Sequence, residues 1–217
     1  MMARRMKEPA FRADQWARRY RPPVAKLNRF VDELGKHDGA DHPPYIAPMY
    51  RGVEARALSI LRDPGPKAGG AKGSGFLCVE NDDATAERML QFLECAGINV
   101  AEVVPWNVYP WYINKKPTTA QLKAGTEPLL RVIEMMRELR VVLLHGRDAE
   151  RGWQFFLSRH QKLVNDRGIQ WFWTYHTSRQ ALQHPDPAER DRREEHIRDA
   201  LRRAAVIVGH RDQDSRP

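Results

Sequence analysis

The sequence has few cysteines and no long apolar run. Its 217 residues include only two cysteines, Cys78 and Cys95, and neither has a thiol or histidine nearby at metal-ligand spacing. An iron–sulfur cluster takes about four thiolates, so we expect no such cluster, no other metal and no cofactor. No apolar stretch approaches the ~20 residues that span a bilayer, and residues 1–16 lack the apolar segment of a secretory signal. We therefore expect a protein of the reducing cytoplasm that does not enter a membrane.

The positive charge is concentrated near the N-terminus. The net charge is +8, and residues 1–29 hold nine Lys and Arg against two acids, a balance of +7. Trp16 and Tyr20 interleave with these basic residues. Such a segment can follow a phosphate backbone, or it can be a solubilising, partly disordered terminus. We interpret residues 1–50 as a basic N-terminal extension with one helix, predicted over residues 24–36.

Strand and helix patterns alternate from residue 55 onward. The predicted strands are 55–62, 101–107, 140–146 and 168–176. The predicted helices are 82–98, 118–139 with a break near Gly125, 147–164 and 186–208, the last ending in a short extended piece. The strands lack strict apolar/polar alternation, which is typical of strands buried on both faces. This pattern predicts, over residues 51–210, a three-layer α/β/α sandwich around a central, mainly parallel four-stranded sheet.

Polar side chains follow three of the predicted strands. Asp63 follows the first strand in "LRDPGP", Asn107 ends the second, and His176 ends the fourth. The carboxyl ends of parallel strands share one edge of the sheet, where ligands bind in open α/β folds. The glycine-rich loop 63–75 leads to Phe76 beside them. No GxxxxGK[ST] sequence follows a strand, so a nucleoside triphosphate is not expected.

Together these motifs resemble the uracil-DNA glycosylase superfamily over residues 55–205. One branch carries Gln-Asp-Pro-Tyr-His after its first strand and others carry a Pro-Gly pair there; "LRDPGP" is similar to both. In the first branch an aromatic residue that stacks on uracil lies thirteen positions after the aspartate, which is the spacing of Asp63 and Phe76. Asn107 matches the family's asparagine after the second strand. "HTSRQ" (176–180) keeps the histidine and serine of the family's His-Pro-Ser-Pro motif and lacks both prolines.

The resemblance implies a monofunctional DNA glycosylase of base excision repair that hydrolyses the N-glycosidic bond of uracil. Asp63 would orient or activate a water, and His176 would donate a hydrogen bond to uracil O2. Asn107 would read the N3–H and O4 edge, and Phe76 would stack on the flipped base. Gly65 stands where one branch has a tyrosine that excludes thymine. The expected partner is uracil-containing DNA, single- or double-stranded, and the expected state is a monomer.

Basic and polar residues near these motifs are candidates for contacts with the DNA strand. Many family members present an apolar wedge shortly after the last motif, and this chain has Arg179 and Gln180 there. A basic residue before a proline also occurs in some members, as in "KKP" (115–117). The candidates are Lys72, Lys115, Lys116, Arg179 and Gln180.

Two other functions fit the same residues. One is a catalytically silent protein of this fold that binds single-stranded or damaged DNA, which the altered "HTSRQ" favours. The other is a nucleoside or small-glycoside hydrolase, against which the basic extension and the lysine-bearing loops argue. Each site residue also has a structural interpretation: Asp63 as a turn cap, Phe76 as core, Asn107 as a turn former and His176 as a strand end. His145 also ends a strand, and we rank it below these residues as a site candidate.

Overall fold

A four-stranded parallel sheet forms the centre of the computed structural model, which describes residues 3–113 and 115–209. In chain order the strands are β1 (Tyr45–Ile46), β2 (Ala57–Leu61), β3 (Phe76–Leu77), β4 (Val103–Asn107), β5 (Val141–His145) and β6 (Gln170–Thr174). The central sheet has the order β4-β2-β5-β6, and β1 pairs with β3 in a separate small sheet. Every pairing is parallel, so the predicted sheet is confirmed.

Helices cover the sheet on both sides, as expected for strands that are apolar throughout. They are α1 (Pro9–Arg18), α2 (Ala25–Leu34), α3 (Ala84–Cys95), α4 (Thr119–Ala124), α5 (Thr126–Met135), α6 (Arg147–Asp166), α7 (Arg179–Leu182) and α8 (Pro187–Gly209). Helix α8 packs on β5, β6 and α3, whereas α6 packs on β2 and β5 together with α4 and α5. The predicted three-layer α/β/α architecture is therefore confirmed. Within the described ranges, no helix has the length and apolarity needed to traverse a bilayer.

Local sequence signals explain where several elements begin and end. Asp83 caps α3 by accepting hydrogen bonds from the backbone N–H groups of its first turn, and Gly97 adopts a positive φ of 70° just after it. Gly125 separates α4 from α5, so the predicted break is confirmed. Pro105 lies within β4, which tolerates proline because β4 is an edge strand. The predicted extended piece at the chain end is wrong, because α8 continues to Gly209 with one face buried against the core.

The N-terminal segment has two helices, α1 and α2, where the sequence pattern predicted one. It packs on the rest of the molecule: Met6 is buried in the main apolar core, and Arg5 forms a 2.7 Å ion pair with the fully buried carboxylate of Glu80. The ring of Trp16 covers Phe76 at a centroid distance of 5.1 Å. Charged residues on the outer face of α1 hide this apolar contact surface in the composition. Residue 210, the last of the predicted α/β domain, lies outside the described residues.

Candidate active site at the carboxyl edge of the sheet

A large cavity opens at the carboxyl ends of the central strands. Its volume is about 1030 Å³, at the upper end of the ~300–1,000 Å³ typical of ligand sites. The strand ends supply Asp63, Asn107, His145 and His176, and the first turn of α3 forms part of the opposite wall. Of the predicted catalytic and recognition residues, the structure thus brings Asp63, Asn107 and His176 together in one cavity.

The strand register arranges one row of side chains across the cavity floor. Leu61 pairs with Asn107 between β2 and β4, and His145 pairs with Thr174 between β5 and β6. The register of β2 against β5 places His145 beside Leu61. Side chains paired in this way point to the same face of a sheet. The row therefore runs Asn107, Leu61, His145 and Thr174, with neighbouring strands about 4.8 Å apart.

Asp63 follows this row by two residues and lies where β2 becomes a turn. Its side chain is only 5% exposed and accepts a hydrogen bond from Arg62 Nε through Oδ1. The backbone on either side is held to β4, since Arg62 O accepts from Tyr109 N at 3.1 Å. Burial raises the pKa of Asp63, the ion pair with Arg62 opposes that rise, and the charge of Asp148 adds to it. The result is a fixed, poorly hydrated carboxylate.

Asn107 ends β4 with its amide in the cavity wall. The residue is 2% exposed, and its Nδ2 has no hydrogen-bond partner. An unpaired buried amide costs about 1–3 kcal/mol, so such a group is expected to have a partner in the working protein. A ligand with a hydrogen-bond acceptor would supply it.

His176 follows β6 by two residues and is held as a neutral donor. Its Nδ1 accepts a hydrogen bond from Ser178 N at 3.1 Å, which leaves the proton on Nε2. Burial, with a smaller contribution from the charge of Arg62, lowers the pKa of His176 to about 4. The following residue ties this loop to α3, because Thr177 Oγ1 donates to Thr85 O at 3.1 Å. The histidine is therefore positioned without the two prolines of the family motif.

His145 is part of the same cavity, although the sequence ranked it lower. It is 1% exposed, and neither ring nitrogen has a hydrogen-bond partner. Burial, and then the neighbouring His176, lower its pKa to about 3, so the ring is neutral. Gly146 follows it with a positive φ of 88° and approaches His176 closely, since an added Cβ would lie 3.4 Å from His176 Cβ. A polar residue ending the apolar run "VVLLH" was the available signal.

The predicted role of Phe76 is wrong for this structure. Phe76 is fully buried, begins β3 and does not line the cavity. Trp16 and Tyr45 cover its ring, at centroid distances of 5.1 and 6.2 Å. No face of the ring is open to a base. Gly65 does line the cavity, and a Cβ there would contact nothing within 4 Å, so the wall beside Asp63 is open at this point.

The predicted DNA-contacting residues divide into two groups. Gln180 lines the cavity, and Lys116 reaches its edge through a 3.4 Å ion pair with Asp148, a lining residue. Arg179 is exposed as the first residue of α7, just outside the lining. Lys72 is exposed on the glycine-rich loop away from the lining, and Lys115 borders a separate hollow of about 270 Å³.

Several charged residues at the cavity were not singled out from the sequence. They come from four different segments, so no local spacing connects them. They are Arg62, Lys67, Arg147, Asp148 and Arg193. Within the two described ranges, no three His, Cys, Asp or Glu side chains come together as metal ligands. No protein-family model matches the chain, and no curated protein matches it. The geometry of the cavity is therefore the basis for a functional proposal.

Proposed function

We propose that this protein is a monofunctional DNA glycosylase that hydrolyses the N-glycosidic bond of uracil in DNA, as in base excision repair. The observation that carries the proposal is the convergence of Asp63, Asn107 and His176 in one cavity, each buried and each oriented by the backbone around it. These three side chains supply the base, the reader and the donor that the reaction requires.

Recognition of uracil rests on the amide of Asn107. The uracil edge presents an N3–H donor beside the O4 acceptor, and an amide presents an acceptor beside a donor. The unpartnered Nδ2 would donate to O4 while Oδ1 accepts from N3–H. Cytosine presents the opposite pattern, so it would leave buried polar groups unpaired, and sites of this kind reject such analogues strongly.

Hydrolysis needs a water, a base and a stabilised leaving group. Asp63 takes a proton from the water as its oxygen bonds to C1′ of the sugar. The C1′–N1 bond breaks, and its electron pair leaves with the base. His176 Nε2–H donates to O2, where negative charge develops; losing such a donor typically costs about 10²–10³ in rate. The carboxylate of Asp63 also stabilises the oxocarbenium-like sugar. No lysine nucleophile takes part, so no strand cleavage follows.

The strand would enter along the basic rim of the cavity. Arg62 is 42% exposed, and Arg147 is exposed at the start of α6, where the helix dipole adds to its charge. Phosphate contacts of this kind set affinity without reading sequence. The proposal includes action as a monomer in the cytoplasm, in keeping with two unpaired cysteines, Cys78 and Cys95.

The direct test is release of uracil from a synthetic oligonucleotide, followed by alkaline cleavage of the abasic strand on a gel. We expect wild-type protein to produce the alkali-labile product and Asp63→Asn to lower the single-turnover rate by at least ~10²-fold. Asp166→Asn is the matched control, because Asp166 is exposed at the end of α6 and pairs only with Lys162. Unchanged cleavage by Asp63→Asn would exclude the proposed base. Binding of the oligonucleotide without any product would indicate the silent DNA-binding protein instead.

A further inference from the structure

His145 is the most deeply buried polar group of the cavity that the proposed reaction leaves unused. Its two ring nitrogens are both inaccessible to bulk solvent and both without a partner. Thr174, beside it in the row, also has an unpartnered hydroxyl. Buried polar groups in native proteins almost always have a partner, supplied by the protein, a ligand or an ordered water. A purely structural side chain at this position would be apolar, as Val141–Leu144 are throughout the rest of β5.

The order of the strands places His145 between the two groups that act on the substrate. Strand β5 lies between β2, which leads to Asp63, and β6, which leads to His176. The register sets His145 beside Leu61, two residues before Asp63, so both side chains project from the same face of neighbouring strands. All three polar residues line the cavity.

Asp63 has hydrogen-bonding capacity left on the side of the cavity. Its Oδ1 accepts from Arg62 Nε, and no other hydrogen bond to this carboxylate occurs within residues 3–113 and 115–209. A water bound to the remaining oxygen donates one of its two hydrogens to it. The second hydrogen needs another acceptor, because a polar group in a buried site without a partner is costly. A neutral imidazole supplies one acceptor nitrogen.

We propose that Asp63 and His145 together hold an ordered water, which donates one hydrogen bond to each of them. The water site follows from the geometry alone; its role as the nucleophile rests on the proposed glycosylase activity. In the reaction the water proton on the Asp63 side passes to that carboxylate as the oxygen bonds to C1′. The C1′–N1 pair leaves with the base, and the bond to His145 fixes the direction of the oxygen lone pair.

The neutrality of the ring supports this arrangement. A protonated imidazole has two donors and no acceptor, so it would repel the hydrogen of the water. Burial and the neighbouring His176 keep the pKa of His145 at about 3, so an acceptor nitrogen is present at neutral pH. The positively charged Arg62 faces Asp63 and reduces the tendency of that carboxylate to take up a proton.

A high-resolution crystal structure of the wild-type protein tests the water site without reference to catalysis. We expect density for one water within about 2.6–3.2 Å of both an Asp63 carboxylate oxygen and a His145 ring nitrogen. A structure in which His145 bonds directly to another protein group, or in which no water contacts both residues, would overturn the proposal. This readout decides the question even if wild-type protein releases no uracil, a result that would reject the glycosylase alone.

Kinetics test the role of that water as nucleophile. His145→Leu should lower the single-turnover rate about 10–100-fold while the Kd for uracil-containing DNA stays unchanged, since positioning one catalytic partner is worth part of a general-base effect. His145→Gln keeps an acceptor and should recover most of the rate. The thermal midpoint of His145→Leu should equal or exceed that of the wild type, because an unpaired polar group is removed. His184→Leu, on a loop outside the lining, is the control. Equal rates for wild type, His145→Leu and His145→Gln would overturn the role, and a lower midpoint with unchanged rate would make His145 structural.

Discussion

Arg62 and Asp63, neighbours in sequence, form an ion pair at the cavity wall in which Arg62 Nε donates to Asp63 Oδ1. The two partners differ in exposure: the arginine side chain is 42% exposed and the carboxylate only 5%. One oxygen of Asp63 is thereby fixed, and the other is left for the cavity. The pair also balances two opposing effects on the pKa of Asp63, which burial raises and Arg62 lowers.

Removing Arg62 should move the pH dependence of catalysis. Asp63 acts as a base only when ionised, so the rate falls as the pH drops through its pKa. Arg62→Gln removes the hydrogen bond and the charge that lower that pKa, and the burial effect remains. We therefore expect the acid limb of the single-turnover rate profile to move to higher pH. Arg151→Gln, which loses an ion pair with Asp148 instead, is the control. An acid limb at the wild-type pH would contradict this account of Asp63.

Asn107→Leu should separate stability from recognition. The substitution replaces a buried amide whose Nδ2 is unpaired by an apolar side chain of similar size. We expect the free energy of unfolding to stay equal or rise by up to about 1 kcal/mol, while uracil release falls by at least ~10²-fold. Chemical denaturation and a single-turnover assay measure the two effects. Asn165→Leu, on the exposed side of α6, is the matched control. A clear loss of stability would make Asn107 a structural residue.

The strand ends could be predicted because burial on both faces leaves a plain apolar signal. Runs such as "VVLLH" predict strands, and the residue after each run then lies at the carboxyl edge. This reasoning located Asp63, Asn107 and His176 in one cavity before any coordinates were known. It also located His145, but a lone histidine at a strand end has the same pattern whether its ring nitrogens are paired or not.

The errors arose from contacts between segments distant in sequence. Phe76 has the spacing of a stacking aromatic, yet Trp16 from α1 covers it, and no local pattern shows what packs on a ring. Helix α1 was missed because its outer face is dominated by charge. Its docking depends on Arg5 and Glu80, which are separated by 75 residues. Pairing across such a distance is a property of the folded chain.

The position of Arg179 predicts a preference among DNA substrates. Arg179 is exposed at the first position of α7, two residues after the loop that carries His176. A flipped base leaves a gap in duplex DNA, and unstacking costs a few kcal/mol. An arginine can stack on the exposed bases but gains less than an apolar plug in a paired duplex. We expect single-stranded or mispaired uracil to be released at least as fast as paired uracil.

The same assay should show a selective loss in Arg179→Ala. Duplex substrates should lose more rate than single strands, because only a duplex requires an opened stack. Arg190→Ala removes the same charge from the exposed face of α8 and is the control. Rates on single-stranded, U·G and U·A oligonucleotides provide the comparison. Equal losses on all three would show that Arg179 contacts a phosphate only.

The N-terminal segment should contribute to stability through one ion pair. Arg5 pairs at 2.7 Å with Glu80, whose side chain is fully buried. Arg5→Ala would leave that carboxylate buried without its partner, which we expect to cost about 3 kcal/mol. Arg18→Ala breaks an exposed pair with Asp14 on α1 and should cost less than about 0.5 kcal/mol. Denaturant titrations of both variants measure the difference. Similar small losses would mean that the segment is not held by Glu80.

The most direct test of the glycosylase is intact-mass analysis of a uracil-containing oligonucleotide incubated with wild-type protein. We predict an abasic strand of otherwise unchanged length together with an equal amount of free uracil, and neither product with Asp63→Asn. That result requires cleavage of the C1′–N1 bond by water and excludes strand scission. An oligonucleotide that is bound but keeps its original mass at every time point would contradict the account.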